Sequence, residues 1–287
     1  AALDMFSYEG KLVGMPYATE NVAFFYNPEL VTEVPATWDD VKTLAKELQD
    51  SGKAKYGFCR QEGDPYHFYP IQTAFGGYIF GQNDDGTWNP EDVGFGNEGS
   101  VAAAQWLLDM VDQDSIVTGM DWGTYHASFN SGECAMMITG PWALPDMRAA
   151  GAKFEISAFP TGPAGASQPF LGGQALFVSA FSENGLLAQA FLTEFVASEE
   201  VQLALYEKGN RTPALLSAME KVEDPYLAAL GEAGAVGLPM PAIPEMSAVW
   251  TAWGDSVTLA MQDTTKSPAE LFTVAADTIR STIAGEE

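Results

Sequence analysis

Positive charge is what this sequence has least of. Its 287 residues hold 13 Lys and Arg against 39 Asp and Glu, a formal net charge of −26. Nucleic acid and anionic membrane surfaces are bound through a basic footprint, so neither is the expected partner. An acidic surface suits a salt-adapted source as readily as any function. Histidine is nearly absent. His67 and His126 are the only two, neither stands in a nucleophile-elbow setting, and both read as ordinary helix residues. The sequence has no G-x-S-x-G, no H-E-x-x-H, no P-loop and no G-x-G-x-x-G after a predicted strand. Cysteine is limited to Cys59 and Cys134. Both fall in strand-like runs without metal-ligand spacing, and buried free thiols are expected rather than a disulfide. No apolar run approaches the ~18 residues of a membrane span. The chain opens Ala1-Ala2-Leu3-Asp4-Met5, as if part-way through a longer polypeptide, so the lack of a targeting segment carries no information.

What is present reads as an α/β protein. The length suffices for two domains or one large one, and 47% hydrophobic with 18% charged residues is globular composition. Strands are expected at 11–18, 22–26, 56–60, 134–138, 154–159 and 175–180. Helices are expected at 38–50 behind a Thr37 cap, from Pro65 to about Gly76, and at 100–111 and 122–130. Residues 83–96, rich in Asn, Asp and Gly, read as a surface hairpin around Trp88. Further helices are expected at 142–150, 183–197, 199–208, 214–221, 225–233, 245–262 and 268–284. Strands alternating with helices, then a helical tail, predict at least one largely parallel sheet.

The stretch Cys134 to Trp142, CAMMITGPW, reads as a fully buried strand running into a Gly-Pro turn and a helix. Such a turn lies at the carboxyl end of a sheet, where ligands bind in open α/β folds. Trp142 is thereby placed at a cleft mouth. Tyr17, Tyr66, Tyr69, Trp122, Trp250 and Trp253 also fall near element ends. Aromatic faces beside carboxylates match sugars, which present apolar C–H faces ringed by hydroxyls. Packing in the core is the competing reading for about half of these rings. Glu20 and Asp64 both follow strands. They are candidates to accept sugar hydroxyls, or to serve as the carboxylate pair of a glycosidase.

Several blocks together resemble the maltose/maltodextrin-binding solute receptors of ABC importers. They are Tyr17-Ala18-Thr19-Glu20-Asn21 with Tyr26-Asn27, Asp64-Pro65-Tyr66, Phe129-Asn130-Ser131-Gly132-Glu133, Ala135-Met136, Gly140-Pro141-Trp142, and 240–250, MPAIPEMSAVW. The resemblance implies a periplasmic-binding-protein fold of two α/β lobes closing on a sugar about a hinge, with the N-lobe incomplete in this chain. It places 1–18 and 176–220 in the N-lobe, 22–170 and 226–287 in the C-lobe, and the hinge near 19–21, 171–175 and 221–225. Residue by residue it implies ligand contacts at Glu20, Asp64, Tyr66, Trp122, Trp142, Met240 and Trp250, with Trp253 beside them. It further implies a monomer without cofactor or required metal. Such a monomer is periplasmic or lipid-anchored outside the cell membrane and hands its sugar to the permease of an ABC transporter.

Two departures bear on the ligand. Gly254 stands where the maltodextrin receptors carry Arg, and Thr251 replaces a common aromatic. Maltose, maltodextrin, trehalose and other glucosides stay open. Family members also carry about a hundred residues ahead of this chain's first residue, so exposed apolar surface is expected on the N-lobe. A carbohydrate-active hydrolase using Glu20 and Asp64, and a sugar receptor serving a chemosensory partner, are the alternative functions.

Overall fold

The computed structural model describes residues 2–8, 10–262 and 265–285. Two four-stranded sheets carry the fold. In the first, Gly14–Glu20 lies antiparallel between Phe170–Phe177 and Thr212–Pro213, and Leu238–Pro239 pairs in parallel with 170–177. In the second, Cys134–Thr139 lies between Tyr56–Cys59, its parallel neighbour, and Ala23–Tyr26, its antiparallel one. Glu155–Ser157 pairs antiparallel to the outer side of 23–26. Both sheets are mixed, which corrects the expectation of a largely parallel one. Strand–helix alternation does not decide strand direction when 23–26 enters the second sheet at the edge where 134–139 leaves it, Ala23 opposite Thr139.

Every residue of the 134–139 strand is buried, as an apolar central strand covered on both faces requires. Side chains alternate between two cores. Phe24, Phe58, Met136 and Ile138 face the larger one, with Trp38, Trp106, Trp253 and Phe272 from the surrounding helices. Phe25, Cys59, Cys134 and Met137 face the other, with Tyr125, Phe129, Leu144, Leu227 and Leu230. The helix Trp38–Asp50 is held at its start by a reciprocal capping box, Thr37 with Asp40. Trp122–Asn130, Pro225–Gly234, Val249–Gln262 and Pro268–Ala284 lie close to the expected helices.

Cys59 and Cys134 form a disulfide, their Cα atoms 6.3 Å apart. The expectation of free thiols fails because both residues sit on adjacent parallel strands and face one core. The strand expected at 175–180 begins earlier, at Phe170. Its glycines read as loop, yet Gly172 and Gly173 are paired with Glu20 and Thr19. The helix expected from Pro65 is confined to Tyr69–Ala74, which leaves His67 in the turn before it. That turn forms because Asp64 Oδ1 accepts the backbone N–H groups of Tyr66 and His67, 2.9 and 3.3 Å.

A G-x-G-x-x-G run does follow a strand. Gly94 to Gly99, GFGNEG, joins Trp88–Val93 to the helix Glu98–Asp112. The strand belongs to a two-stranded antiparallel hairpin. A side chain on Gly94 would strike Tyr78, and one on Gly99 the backbone of Gly76. These glycines serve packing, not a phosphate. Large apolar side chains stand exposed from the end of the first sheet's 170–177 strand onward, among them Phe177, Phe181, Leu186, Leu187, Phe191 and Phe195. Among the described residues no helix is long and apolar enough to cross a membrane.

Candidate functional site

Two parallel strands, 56–59 and 134–139, deliver their following loops to the same sheet edge. One loop carries Asp64, Tyr66 and His67, the other Gly140-Pro141-Trp142. Strand 23–26 starts at that edge. The two-residue link Asn21-Val22 before it therefore brings Glu20, the last residue of its strand in the first sheet, to the same place. Asn21 secures this crossing by donating its amide to the carbonyl of Leu230, 2.8 Å.

Trp142 owes its position to the glycine before it. The indole folds back over Gly140, where a β-carbon would lie 2.4 Å from the ring. Pro141 begins a single 3₁₀ turn, Pro141–Ala143, where a missing N–H costs nothing, and Leu144–Ala150 continues as α-helix. From Trp142 a ladder of rings runs both ways. Tyr66 lies 6.2 Å away and His67 5.8 Å. Beyond His67 comes Trp122 at 6.0 Å, and Trp122 in turn lies on His126 at 4.1 Å. On the other side Tyr66 approaches Phe170 at 5.7 Å, and Phe170 approaches Trp250 at 6.4 Å. Trp122 is 42% exposed, while Tyr66, Trp142 and Trp250 are half-buried. Rings so placed offer edges and faces to a ligand while their backs rest on core.

The carboxylates are engaged. Glu20 pairs with Arg211 and accepts from Gln174 Nε2 at 2.8 Å. Asp64 Oδ2 contacts His67 Nδ1, and the Asp64 carbonyl accepts from Arg60 Nη2 at 2.7 Å. Burial drives the Asp64 carboxyl upward, but the His67 ring and the Arg60 charge outweigh it and hold the group below the usual carboxylate range. Burial pushes the Arg60 guanidinium down to about 10, opposed by Asp64, so it stays charged at neutral pH. Tyr66 is raised well above an ordinary phenol by burial and then by the charges of Glu20 and Asp64. It is a neutral hydrogen-bonding group. Its hydroxyl and the Glu20 side chain meet over Gly172, where a β-carbon would lie 3.3 Å from Tyr66 Oη and 3.8 Å from Glu20 Cγ.

Glu20, Asp64, Tyr66, Trp122, Trp142 and Trp250 are thus brought to one region, whereas Trp253 is not. Trp253 is 0% exposed and packs edge-on against Tyr69 and Phe95 at 5.9 and 5.4 Å. It backs Trp250 and presents no face to a ligand. Met240 lines an apolar cleft of about 330 Å³ with Phe6, Trp88, Leu171, Gly172 and Gly173. Gly172, over which Tyr66 and Glu20 meet, is shared by that cleft, so Met240 stands beside the ring ladder on the side of Phe6.

Sequence reasoning passed over His67, Phe170 and Arg211. For His67 the signal was available: an aspartate three residues earlier, at the start of a Pro-containing turn. Gly254, where an arginine was the alternative, is explained by the same turn. A β-carbon there would lie 2.9 Å from the Gly63 carbonyl, because the 61–65 loop seats directly on the 249–262 helix.

A model of the family described as bacterial extracellular solute-binding protein matches residues 1–233. The chain belongs to this family. A galactooligosaccharide-binding protein of Bacillus subtilis (strain 168) is 32% identical over 95% of this chain and 66% of its own length. The maltodextrin-binding protein MdxE of the same organism is 30% identical over 85% of this chain and 60% of its own length. A maltotriose-binding protein of Pyrococcus abyssi is 28% identical over 87% and 55%. The chain therefore spans between 55% and 66% of the length of these relatives. All three are named as binding proteins, and the α/β architecture described above is that of the family's fold. Among the described residues no group of three His, Cys, Asp or Glu side chains could hold a metal ion.

Proposed function

We propose that the protein binds an oligosaccharide of hexopyranose units and delivers it to the permease of an ABC transporter without chemical change. The observation that carries this reading is the ring ladder from Trp122 to Trp250 with Glu20 and Asp64 at its side, gathered where the two sheets meet. Stacked rings supply dispersion to sugar C–H faces, and the carboxylates and the Tyr66 phenol supply hydrogen bonds at the rim. The relatives' names support the same class. Maltose and maltodextrin, related glucosides such as trehalose, and galacto-oligosaccharides are the ligands to test.

On this reading, 1–18 with 176–220 forms one lobe and 22–170 with 226–287 the other, moving about 19–21, 171–175 and 221–225. Sugar enters between open lobes, and closure buries it. The ligand shifts the open–closed balance only as far as it prefers the closed state. A monomer in an extracytoplasmic compartment, periplasmic or lipid-anchored, fits the Cys59–Cys134 disulfide, since such bonds persist in oxidising surroundings.

The test is a titration of intrinsic tryptophan fluorescence with glucose, maltose, maltotriose, trehalose, sucrose and galacto-oligosaccharide. A saturable change is expected with at least one oligosaccharide, weakened roughly tenfold or more, ~1.4 kcal/mol, by Trp142→Ala. Silence with every sugar removes the reading. Release of shorter sugars by the purified protein would show catalysis and overturn the non-enzymatic part.

A further inference from the structure

We propose that His67 Nε2 and Trp142 Nε1 together hold one hydroxyl group of the bound sugar, with Asp64 as the positioning residue that makes His67 an acceptor. The proposal rests on the sugar-binding reading and adds to it a specific recognition point. Asp64 spends one carboxylate oxygen on the backbone N–H groups of Tyr66 and His67 and turns the other to His67 Nδ1. A carboxylate only accepts hydrogen bonds, so Nδ1 carries a proton, and in the neutral ring Nε2 presents a lone pair. Nε2 is buried, the His67 side chain being 7% exposed, and it has no hydrogen-bond partner among the described residues. The indole N–H of the neighbouring Trp142 is likewise buried with no partner among the described residues, its ring 5.8 Å from His67.

Unpaired polar atoms at this depth are costly and rare. Here one is an acceptor and the other a donor, on adjacent rings. A single hydroxyl satisfies both, donating its proton to Nε2 and accepting from Nε1–H. Apolar ligands satisfy neither, so the pair selects for a hydroxylated partner. Trp122 covers His67 from 6.0 Å and is itself 42% exposed. It is the ring that must yield when the hydroxyl enters. It also packs on Tyr125 and His126, and His126 stays neutral because burial lowers its pKa to about 4, so no imidazolium charge there pins the cover in place.

The experiment pairs a panel of monodeoxy derivatives of the best-binding oligosaccharide with His67→Phe, which keeps a ring and removes both nitrogens. In the wild-type protein one deoxy position is expected to weaken binding about tenfold. His67→Phe is expected to weaken the parent sugar by a similar factor and to bind that one deoxy sugar as well as the parent. Equal deoxy losses in both proteins at every position overturn the proposal, and so does binding of the parent unchanged by the variant. A measurement that needs no variant accompanies it. With ¹⁵N-labelled histidine, the Nε2 resonance of His67 is expected to be that of an unprotonated nitrogen and to shift on adding sugar. Saturation by sugar with that resonance unmoved, as when Nε2 keeps a water instead, overturns the His67 assignment alone. A protein that saturates with no sugar overturns both this proposal and the reading it rests on.

Discussion

His126 is bound at both ring nitrogens, and the pattern decides its protonation. Nδ1 lies 3.0 Å from the Trp122 carbonyl, which can only accept, so Nδ1 donates and Nε2 is left to accept the Thr139 hydroxyl at 3.1 Å. Burial lowers its pKa from 6.5 to about 4, so it is neutral in the folded protein across the physiological range. The unfolded chain binds a proton below about pH 6.5 and the folded one only near pH 4. Stability from this group is therefore complete above about pH 6.5 and falls as the solution is acidified, by about 2 kcal/mol at pH 5. Asp64, whose folded pKa is depressed, loses its contribution in the same direction at lower pH. Urea unfolding at pH 7 and pH 5 should show this loss, and His126→Gln should flatten the slope; equal slopes would refute the assignment. At this scale the sequence is an uneven guide. Trp250 and Trp253 are three residues apart on one helix and read alike, yet one is half-buried at the ring ladder and the other lies wholly within the core. Residue type and spacing define a helix face; which part of that face meets solvent depends on Tyr69, Phe95 and Phe170 arriving from distant elements.

The strands 56–59 and 134–139, one at the edge of the second sheet and the other inside it, are the mounts of the two site loops. The disulfide ties them directly, closing a loop of sequence separation 75. Constraint of the unfolded chain by such a loop is worth about 4 kcal/mol in the chain-entropy model. Urea titration with and without dithiothreitol should show that loss, and Cys59→Ala with Cys134→Ala should reproduce it without reductant. An unchanged midpoint would mean the two strands are held fully by their packing. Most elements were legible beforehand because their signals are local: the Thr37 cap and Gly52 stop bracket one helix, and the apolar run after Glu133 defines the central strand. The elements misjudged are those whose determinants are distant. Residues 170–174 become strand because Glu20 and Thr19 supply the ladder. The turn at 64–68 replaces a helical start because the Asp64 carboxylate captures two N–H groups. Neither strand direction nor the pairing of the two cysteines follows from composition, since both are decided by which edge a strand enters.

Charge acts on the molecule as a whole. With −26 formal charges the folded state carries strong self-repulsion, which salt relieves because the screening length falls to about 3 Å at ~1 M. Raising NaCl from ~0.05 M to ~1 M should raise Tm by several degrees; a flat or falling Tm would show that the acidic groups are spaced widely enough not to interact. The lobe boundaries proposed above belong to this scale too, as does the relation of the chain to relatives of which it spans 55% to 66%.

By itself the sequence determined the class of molecule. The block order from Tyr17 to Trp250, the apolar central strand and the helix caps are statements about neighbours within a few residues, and local chemistry is enough to state them. The tertiary structure alone decided which of the aromatic and carboxylate candidates meet. It brought Glu20 to Tyr66 through a two-residue link between sheets, turned Asp64 onto His67, folded Trp142 over Gly140, and withdrew Trp253 into the core. Those outcomes depend on contacts between residues far apart in the chain, and their free energies are set by packing and burial that no single segment contains.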